Sequence, residues 1–211
     1  MDKLRVGVVG LQRGSVHCAN SVASENTELV AVCDIDKAKA DRFAEKYGVR
    51  AYYDHRELCA ADDIDAVIMA TPIDVHAETV VDALNAGKHV LCEKAITLNS
   101  AELDEARAIA AEHNVVLMDA TTVLHMPLYQ ELRRRMDAGE FGRMNLAQLN
   151  FGSYKEYGDL TNRFYNRNLA GGAMLDIGVY ALSVMRLFMA SQPVEVVSLG
   201  NTCETGVDVA G

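Results

Sequence analysis

Several features are missing from this chain, and each absence narrows what it can be. There is no surplus of positive charge. Thirty acidic residues against 20 basic ones leave a formal net charge of −10, which argues against non-specific partnership with nucleic acid or an anionic membrane. The one basic run, Arg133-Arg134-Arg135, is flanked by Glu131 and Asp137 and reads as a solvated helix face. There is no CxxC pair: the five cysteines, Cys18, Cys33, Cys59, Cys92 and Cys203, are dispersed, with no histidine at metal-ligand spacing. Such a set reads as reduced, mostly buried thiols rather than a metal site. No apolar run approaches the roughly 20 residues of a membrane span. Met1-Asp2-Lys3-Leu4 passes straight into a strand pattern, leaving no room for a leader. Internal repeats and low-complexity tracts are also absent. The expectation is a soluble, cytoplasmic protein.

What is present, from residue 3 to about 120, is an alternation of short aliphatic runs with amphipathic stretches. The runs are Leu4–Val9, Leu29–Cys33, Ala66–Ala70, His89–Cys92 and Val115–Met118. Continuous rather than alternating apolar residues suit strands covered on both faces, as in a parallel sheet. The stretches between carry helix punctuation. Thr71-Pro72-Ile73-Asp74 offers an N-cap followed by a proline at the first helical position, and Asn99-Ser100-Ala101-Glu102 and Asp54-His55-Arg56-Glu57 repeat the capping pattern. Gly48 and Gly87 stand where helices should stop. Residues 1–120 therefore read as a doubly wound α/β domain of the Rossmann type. Beyond them, Pro127 opens a helix to about Ala138, and Gly139 and Gly142 frame a turn. Residues 143–152 and Val194–Leu199 read as strands, and a helix runs from about Gly172 to Met189. Two strands and a helix make a meagre sheet, so residues 121–211 read as a second domain that is incomplete.

The first strand ends in Gly10-Leu11-Gln12-Arg13-Gly14-Ser15, and a helix follows. Backbone N–H groups at such a helix start, with its positive dipole end, hold a pyrophosphate. Asp34 closes the second strand, where a carboxylate accepts hydrogen bonds from an adenosine ribose and repels a 2′-phosphate. That favours NAD, while Lys37 and Lys39 nearby leave NADP open. On these features alone the alternative is a nucleotide-free α/β domain with a tight glycine turn. Two further segments fall at strand ends, where open α/β sheets bind ligands: Ala70-Thr71-Pro72 with His76, and Cys92-Glu93-Lys94. Partial burial of Lys94 there would lower its pKa towards proton transfer. Glu93 reads as its salt-bridge neighbour, and His76 as a supporting residue. In the second unit Asp176 and Tyr180 lie four apart on an apolar helix, hence on one face, and an acid and a phenol there need partners.

These segments together resemble the glucose–fructose oxidoreductase / inositol dehydrogenase (Gfo/Idh/MocA) family. The resemblance rests on Gly10 to Gly14 with His17, Ala70-Thr71-Pro72 with His76, Ala86 through Lys94, and Gly171-Gly172 through Tyr180, and it spans essentially the whole chain. It implies a Rossmann domain followed by a domain with an open antiparallel sheet that mediates oligomer contacts. It also implies Lys94 beside substrate and nicotinamide, Asp176 as the second domain's carboxylate, and Tyr180 in place of the histidine found in many members. That tyrosine is similar to the branch containing the dimeric dihydrodiol dehydrogenases. Three departures are visible: Ala95 stands where a proline usually follows the lysine, Gln12 where a phosphate-loop glycine is usual, and members usually extend well beyond this length.

The expected cofactor-binding residues are thus Gly10, Leu11, Gln12, Arg13, Gly14, Asp34, Thr71, Pro72, His76, Glu93 and Lys94, and the expected catalytic residues Lys94, Tyr180 and Asp176. The expected chemistry is hydride transfer between NAD(P) and a secondary alcohol of a sugar, polyol or cyclic diol. Tyr180 or Lys94 would handle the hydroxyl proton, because an adjacent ammonium stabilises a phenolate. Tyr154, Tyr157, Arg163, Tyr165 and Asn168 form a polar, aromatic segment suited to a hydroxylated ring or, equally, a surface loop. The rival reading is a non-catalytic dinucleotide-binding protein, or a truncated inactive form.

Overall fold

The computed structural model describes residues 2–156, 159, 162–189 and 191–210. Two compact units divide the chain, Met1–Ala120 and Thr121–Gly211.

The first unit runs β1 (Leu4–Val9), α1 (Gly14–Ala23), β2 (Thr27–Cys33), α2 (Lys37–Tyr47), β3 (Arg50–Tyr52), α3 (His55–Cys59), β4 (Ala66–Met69), α4 (His76–Asn85), β5 (His89–Cys92), α5 (Ser100–Glu112) and β6 (Leu117–Asp119). All six strands are parallel, in the order β3-β2-β1-β4-β5-β6. This is the doubly wound arrangement, with its switch point between β1 and β4. The apolar runs are continuous because both faces are covered. Val6 and Val8 pack with Cys18 of α1 and Ala40 of α2. Val9 belongs to the opposite core, with Leu58 of α3, Val80 and Leu84 of α4, and Ala106 and Ala110 of α5. Each fully buried Val or Leu there contributes about 1.5–3 kcal/mol.

Most of the expected punctuation is present. Asp54 and Asn99 cap α3 and α5 as expected, and Asp36 caps α2 as well, each accepting from a backbone N–H group. The exception is Thr71. The chain makes a 3-10 turn at Ile73–Val75 before α4 begins, and Thr71 Oγ1 bonds no N–H there. Lys88 is buried and donates to the carbonyls of Ala61 and Ile64, pinning the loop that precedes β4. Strand β3 is an addition to the sequence reading: three residues beginning with an arginine make no apolar run. Cys18, Cys33, Cys59 and Cys92 are buried free thiols. Burial pushes Cys18 up to about 11 and Cys33 and Cys59 up to about 12, so none of these three is a ready thiolate.

The second unit contains α6 (Pro127–Asp137), 3-10 turns at Arg163–Tyr165 and Arg167–Leu169, a π-helical turn at Met174–Gly178, α7 (Val179–Phe188), and an antiparallel pair, β7 (Asn201–Thr202) with β8 (Asp208–Ala210). Two expectations are corrected here. Residues 143–152 and 194–199 form no strand; both run without ladder partners among the described residues, and Val194, Val196, Val197 and Leu199 are exposed. The helix expected from about Gly172 to Met189 is present over Met174–Phe188, its first turn π-helical. Arg167–Phe188 does have the length and apolarity of a membrane span, although Arg167, Asp176 and Arg186 interrupt it and residues 170–172 separate its opening 3-10 turn from the continuous helix.

Candidate active site

In the first unit the carboxyl ends of β2, β1, β4 and β5 stand side by side on one sheet edge, and the glycine loop leaves the sheet there. Gly10 has φ +84°, a left-handed conformation, and a Cβ on it would lie 2.6 Å from the Ala70 carbonyl oxygen and 2.8 Å from Thr71 N. Only glycine fits, on both counts. The loop is therefore pressed against the end of β4. Gly14, first residue of α1, is fixed by sterics as well: a Cβ there would meet Val8 at 2.8 Å. Leu11 points inward and is buried, whereas Gln12 and Arg13 face solvent. Unlike α2, α3 and α5, α1 has no side-chain cap, and its first turn carries no acidic residue. Its positive end is thus left for an anion.

Asp34 ties this loop to β2. Its carboxylate accepts from Leu11 N–H at 2.9 Å and Asp36 N–H at 2.9 Å, and Lys39 Nζ lies 3.2 and 3.4 Å from its two oxygens. Burial alone would push this carboxyl up. The two amides and the lysine outweigh that effect and hold it below the usual aspartate value. Glu93, at the end of β5, is the second buried carboxylate. It accepts from His17 Nε2 at 2.8 Å and lies 3.3 Å from Arg13 Nε, joining α1 and the glycine loop to the segment that carries Lys94. Burial pushes Glu93 up, but His17, Arg13 and the Lys94 N–H together hold it below its ordinary value. The Lys94–Ala95 peptide is cis.

His76 has the supporting role expected of it rather than a place among the cofactor contacts. Its side chain is 0% exposed, and its ring nitrogens lie 2.8 Å from the carbonyl oxygens of Thr71 and Ala95. It staples the ends of two ligand-edge segments and presents no surface to a cofactor. Pro72 likewise serves the chain, standing at the N-cap of the 3-10 turn. Sequence position named His17 and Lys39 without fixing their contacts, and it missed Ile35. His17 as the partner of Glu93 could have been suspected from its position one turn into α1. The direct contact of Lys39 with Asp34, and Ile35, 91% exposed beside Asp34, carry no local pattern that marks them.

In the second unit Asp176 sits in the π turn, with Arg163 Nη2 3.6 Å from its carboxylate. π turns are often found at functional sites. Tyr180, in α7, packs its ring against Phe151 with centroids 5.4 Å apart. A cavity of about 260 Å³ is lined by Lys155, Phe164, Tyr165, Asp176 and Asp208, among others. Of the polar, aromatic segment, then, Tyr165 is buried and lines the cavity, and Arg163 holds Asp176. Tyr154 and Asn168 are exposed, and Tyr157 lies outside the described residues. Lys155 Nζ and the Arg163 guanidinium both lie on the Phe164 ring, 3.9 and 4.1 Å from its centroid. No cluster of metal-binding side chains occurs among the described residues.

Residues 4–121 match the family described as "Oxidoreductase family, NAD-binding Rossmann fold" (GFO_IDH_MocA), and residues 129–210 match the GFO/IDH/MocA C-terminal domain. The chain belongs to the Gfo/Idh/MocA family. Among its relatives, a trans-1,2-dihydrobenzene-1,2-diol dehydrogenase from Xenopus tropicalis is 34% identical over 185 residues, 86% of this chain and 54% of that protein. A dTDP-3,4-didehydro-2,6-dideoxy-alpha-D-glucose 3-reductase from Actinomadura kijaniata is 33% identical over 193 residues, 90% of this chain and 57% of that protein. Among solved structures, a 3-ketoreductase from Actinomadura kijaniata in complex with NADP and TDP-benzene superposes with TM-score 0.75 at 31% identity, covering 89% of this chain and 57% of the other. The chain spans about half the length of the curated relatives it matches. The glycine loop, Asp34 and the Glu93-Lys94 segment thus sit in an NAD(P)-binding Rossmann fold of this family.

Proposed function

We propose that the protein is a nicotinamide-dependent oxidoreductase acting on a secondary alcohol of a sugar, polyol or cyclic diol, with NAD preferred over NADP. The observation that carries the reading is the single sheet edge on which the uncapped α1 start, the buried carboxylate Asp34 and the Glu93-Lys94 segment are tied together by hydrogen bonds. Two further features fit a dinucleotide. Thr71 Oγ1 and Asp74 Oδ1 are buried with no hydrogen-bond partner among the described residues, an expensive state unless a ligand supplies one. Ile35 offers an exposed apolar surface next to Asp34, of the kind an adenine covers.

A bound nicotinamide would supply hydride transfer. The chain's own residues bind and orient. Gly10 brings the backbone to the pyrophosphate, Gln12 and Arg13 face it from the loop, and Asp34 accepts from the adenosine ribose. Either Tyr180 or Lys94 handles the proton of the substrate hydroxyl, and Asp176 orients its part of the site or bonds a substrate hydroxyl. The relatives support this substrate class, since one acts on a diol and one on a deoxysugar. Cytoplasmic residence and self-association through the second unit belong to the same proposal. A panel of sugars, polyols and cyclic diols, followed by NADH absorbance, tests it: turnover confined to such alcohols supports the reading. Dinucleotide binding without turnover of any of them would make the protein a binding module instead.

A further inference from the structure

We infer that Lys39 sets how strongly this protein separates NAD from NADP, by neutralising Asp34 and serving as the cation that receives a 2′-phosphate. The inference rests on the dinucleotide reading of this sheet edge. A carboxylate offers about four acceptor positions. On Asp34, two are taken by the Leu11 and Asp36 N–H groups, which the fold itself places there. The Lys39 ammonium, 3.2 and 3.4 Å from the two oxygens, takes the rest. A ribose hydroxyl can therefore reach Asp34 only by displacing the ammonium, because the amides cannot move without unmaking the glycine loop and the start of α2. The lysine can move. It is a flexible point charge on a four-carbon stem, part-exposed at the rim of the site beside Ile35.

The consequence differs for the two cofactors. With NAD, the ammonium swings aside and the 2′-hydroxyl takes its place on Asp34. With NADP, the ammonium meets the 2′-phosphate directly, and the repulsion that a lone carboxylate would exert is already compensated. Lys37, two residues earlier, is engaged elsewhere: its Nζ lies 5.1 Å from the centroid of the Tyr53 ring, and Tyr53 in turn donates to Asp41. The cation on the discriminating carboxylate is Lys39, not its neighbour.

Calorimetric titration of the full chain with NAD and with NADP tests this without requiring turnover. Lys39→Ala should weaken NADP binding by about 10–100-fold, the span set by losing one charge-assisted hydrogen bond, while NAD binding holds or tightens. Retained NAD binding also shows that the variant is folded. Lys39→Arg should restore NADP binding, and Lys37→Ala should change neither. An unchanged NAD-to-NADP ratio in Lys39→Ala overturns the inference and leaves the dinucleotide reading standing, as does an equal loss of both affinities. If the unmodified chain binds neither dinucleotide, the reading of the site falls and the inference with it.

Discussion

Replacing Gly10 with alanine puts the geometry of the phosphate loop to a quantitative test. Two costs add. An L-residue in the left-handed region costs about 1–2 kcal/mol. The new Cβ would also stand 2.6 Å from the Ala70 carbonyl oxygen and 2.8 Å from Thr71 N. Both are main-chain atoms at the end of a central strand, which cannot turn aside as a side chain can. Relieving such overpacking costs about 1–3 kcal/mol more. Gly10→Ala should therefore destabilise the first unit by about 2–5 kcal/mol. Gly48 is the internal control: it ends α2 at φ +67°, and a methyl group there would meet nothing within 4 Å, so Gly48→Ala should cost only about 1–2 kcal/mol. Urea unfolding, with hydrogen exchange at β1 and β4 amides to report on the first unit alone, measures both. Dinucleotide affinity should fall in Gly10→Ala and hold in Gly48→Ala. If Gly10→Ala costs no more than Gly48→Ala, the loop is not pressed against β4 and the argument fails.

Three other expectations follow from particular residues. Hydrogen bonds from the Arg5 guanidinium hold the Asp65 carboxyl at about 2, below its ordinary 3.8. A depressed carboxylate stabilises the fold fully above its unfolded value and loses that contribution as pH falls through its folded one. Stability from this pair should thus fade between about pH 4 and pH 2, and Asp65→Asn should remove that slope at a cost near neutrality of at most about 1 kcal/mol, because the pair is partly exposed. Urea midpoints measured down that range check it. Lys94→Ala and Tyr180→Phe should each lower kcat by about 10²–10⁴-fold, with cofactor affinity nearly unchanged in Tyr180→Phe; retained turnover in both would remove them from the mechanism. Finally, the exposed apolar run Val194, Val196, Val197 and Leu199 should make the chain self-associate. Light scattering should show assembly that Val196→Lys with Leu199→Lys reduces, and a monodisperse monomer of the unmodified chain would contradict this.

How far the sequence could be read depended on how local the determining physics was. The five apolar runs, the caps at Asp54 and Asn99 and the stops at Gly48 and Gly87 are set by residues within a turn of one another, and the first unit was legible from them. Strand β3 was not, because a three-residue edge strand has no periodicity to show. The β-rich stretches 143–152 and 194–199 look like strands, yet a strand is defined by its ladder partner, and no local pattern reveals whether one exists. The site behaves in the same way. Sequence position placed Asp34 and Glu93 at strand ends, but it could not show that Asp34 is saturated by Leu11, Asp36 and Lys39, or that Glu93 binds His17 across the sheet edge. For His76 a supporting role was legible, but its carbonyl partners, Thr71 and Ala95, come from two different segments and were not.

The central claim is that this sheet edge binds a nicotinamide dinucleotide. Hydrogen exchange of the full chain with and without saturating NAD tests it most directly. The geometry predicts slowed exchange at residues 10–15, 34–36 and 71–76, with the helices remote from that edge unchanged. No change in those three segments at saturation, or protection confined to residues elsewhere, would contradict the account.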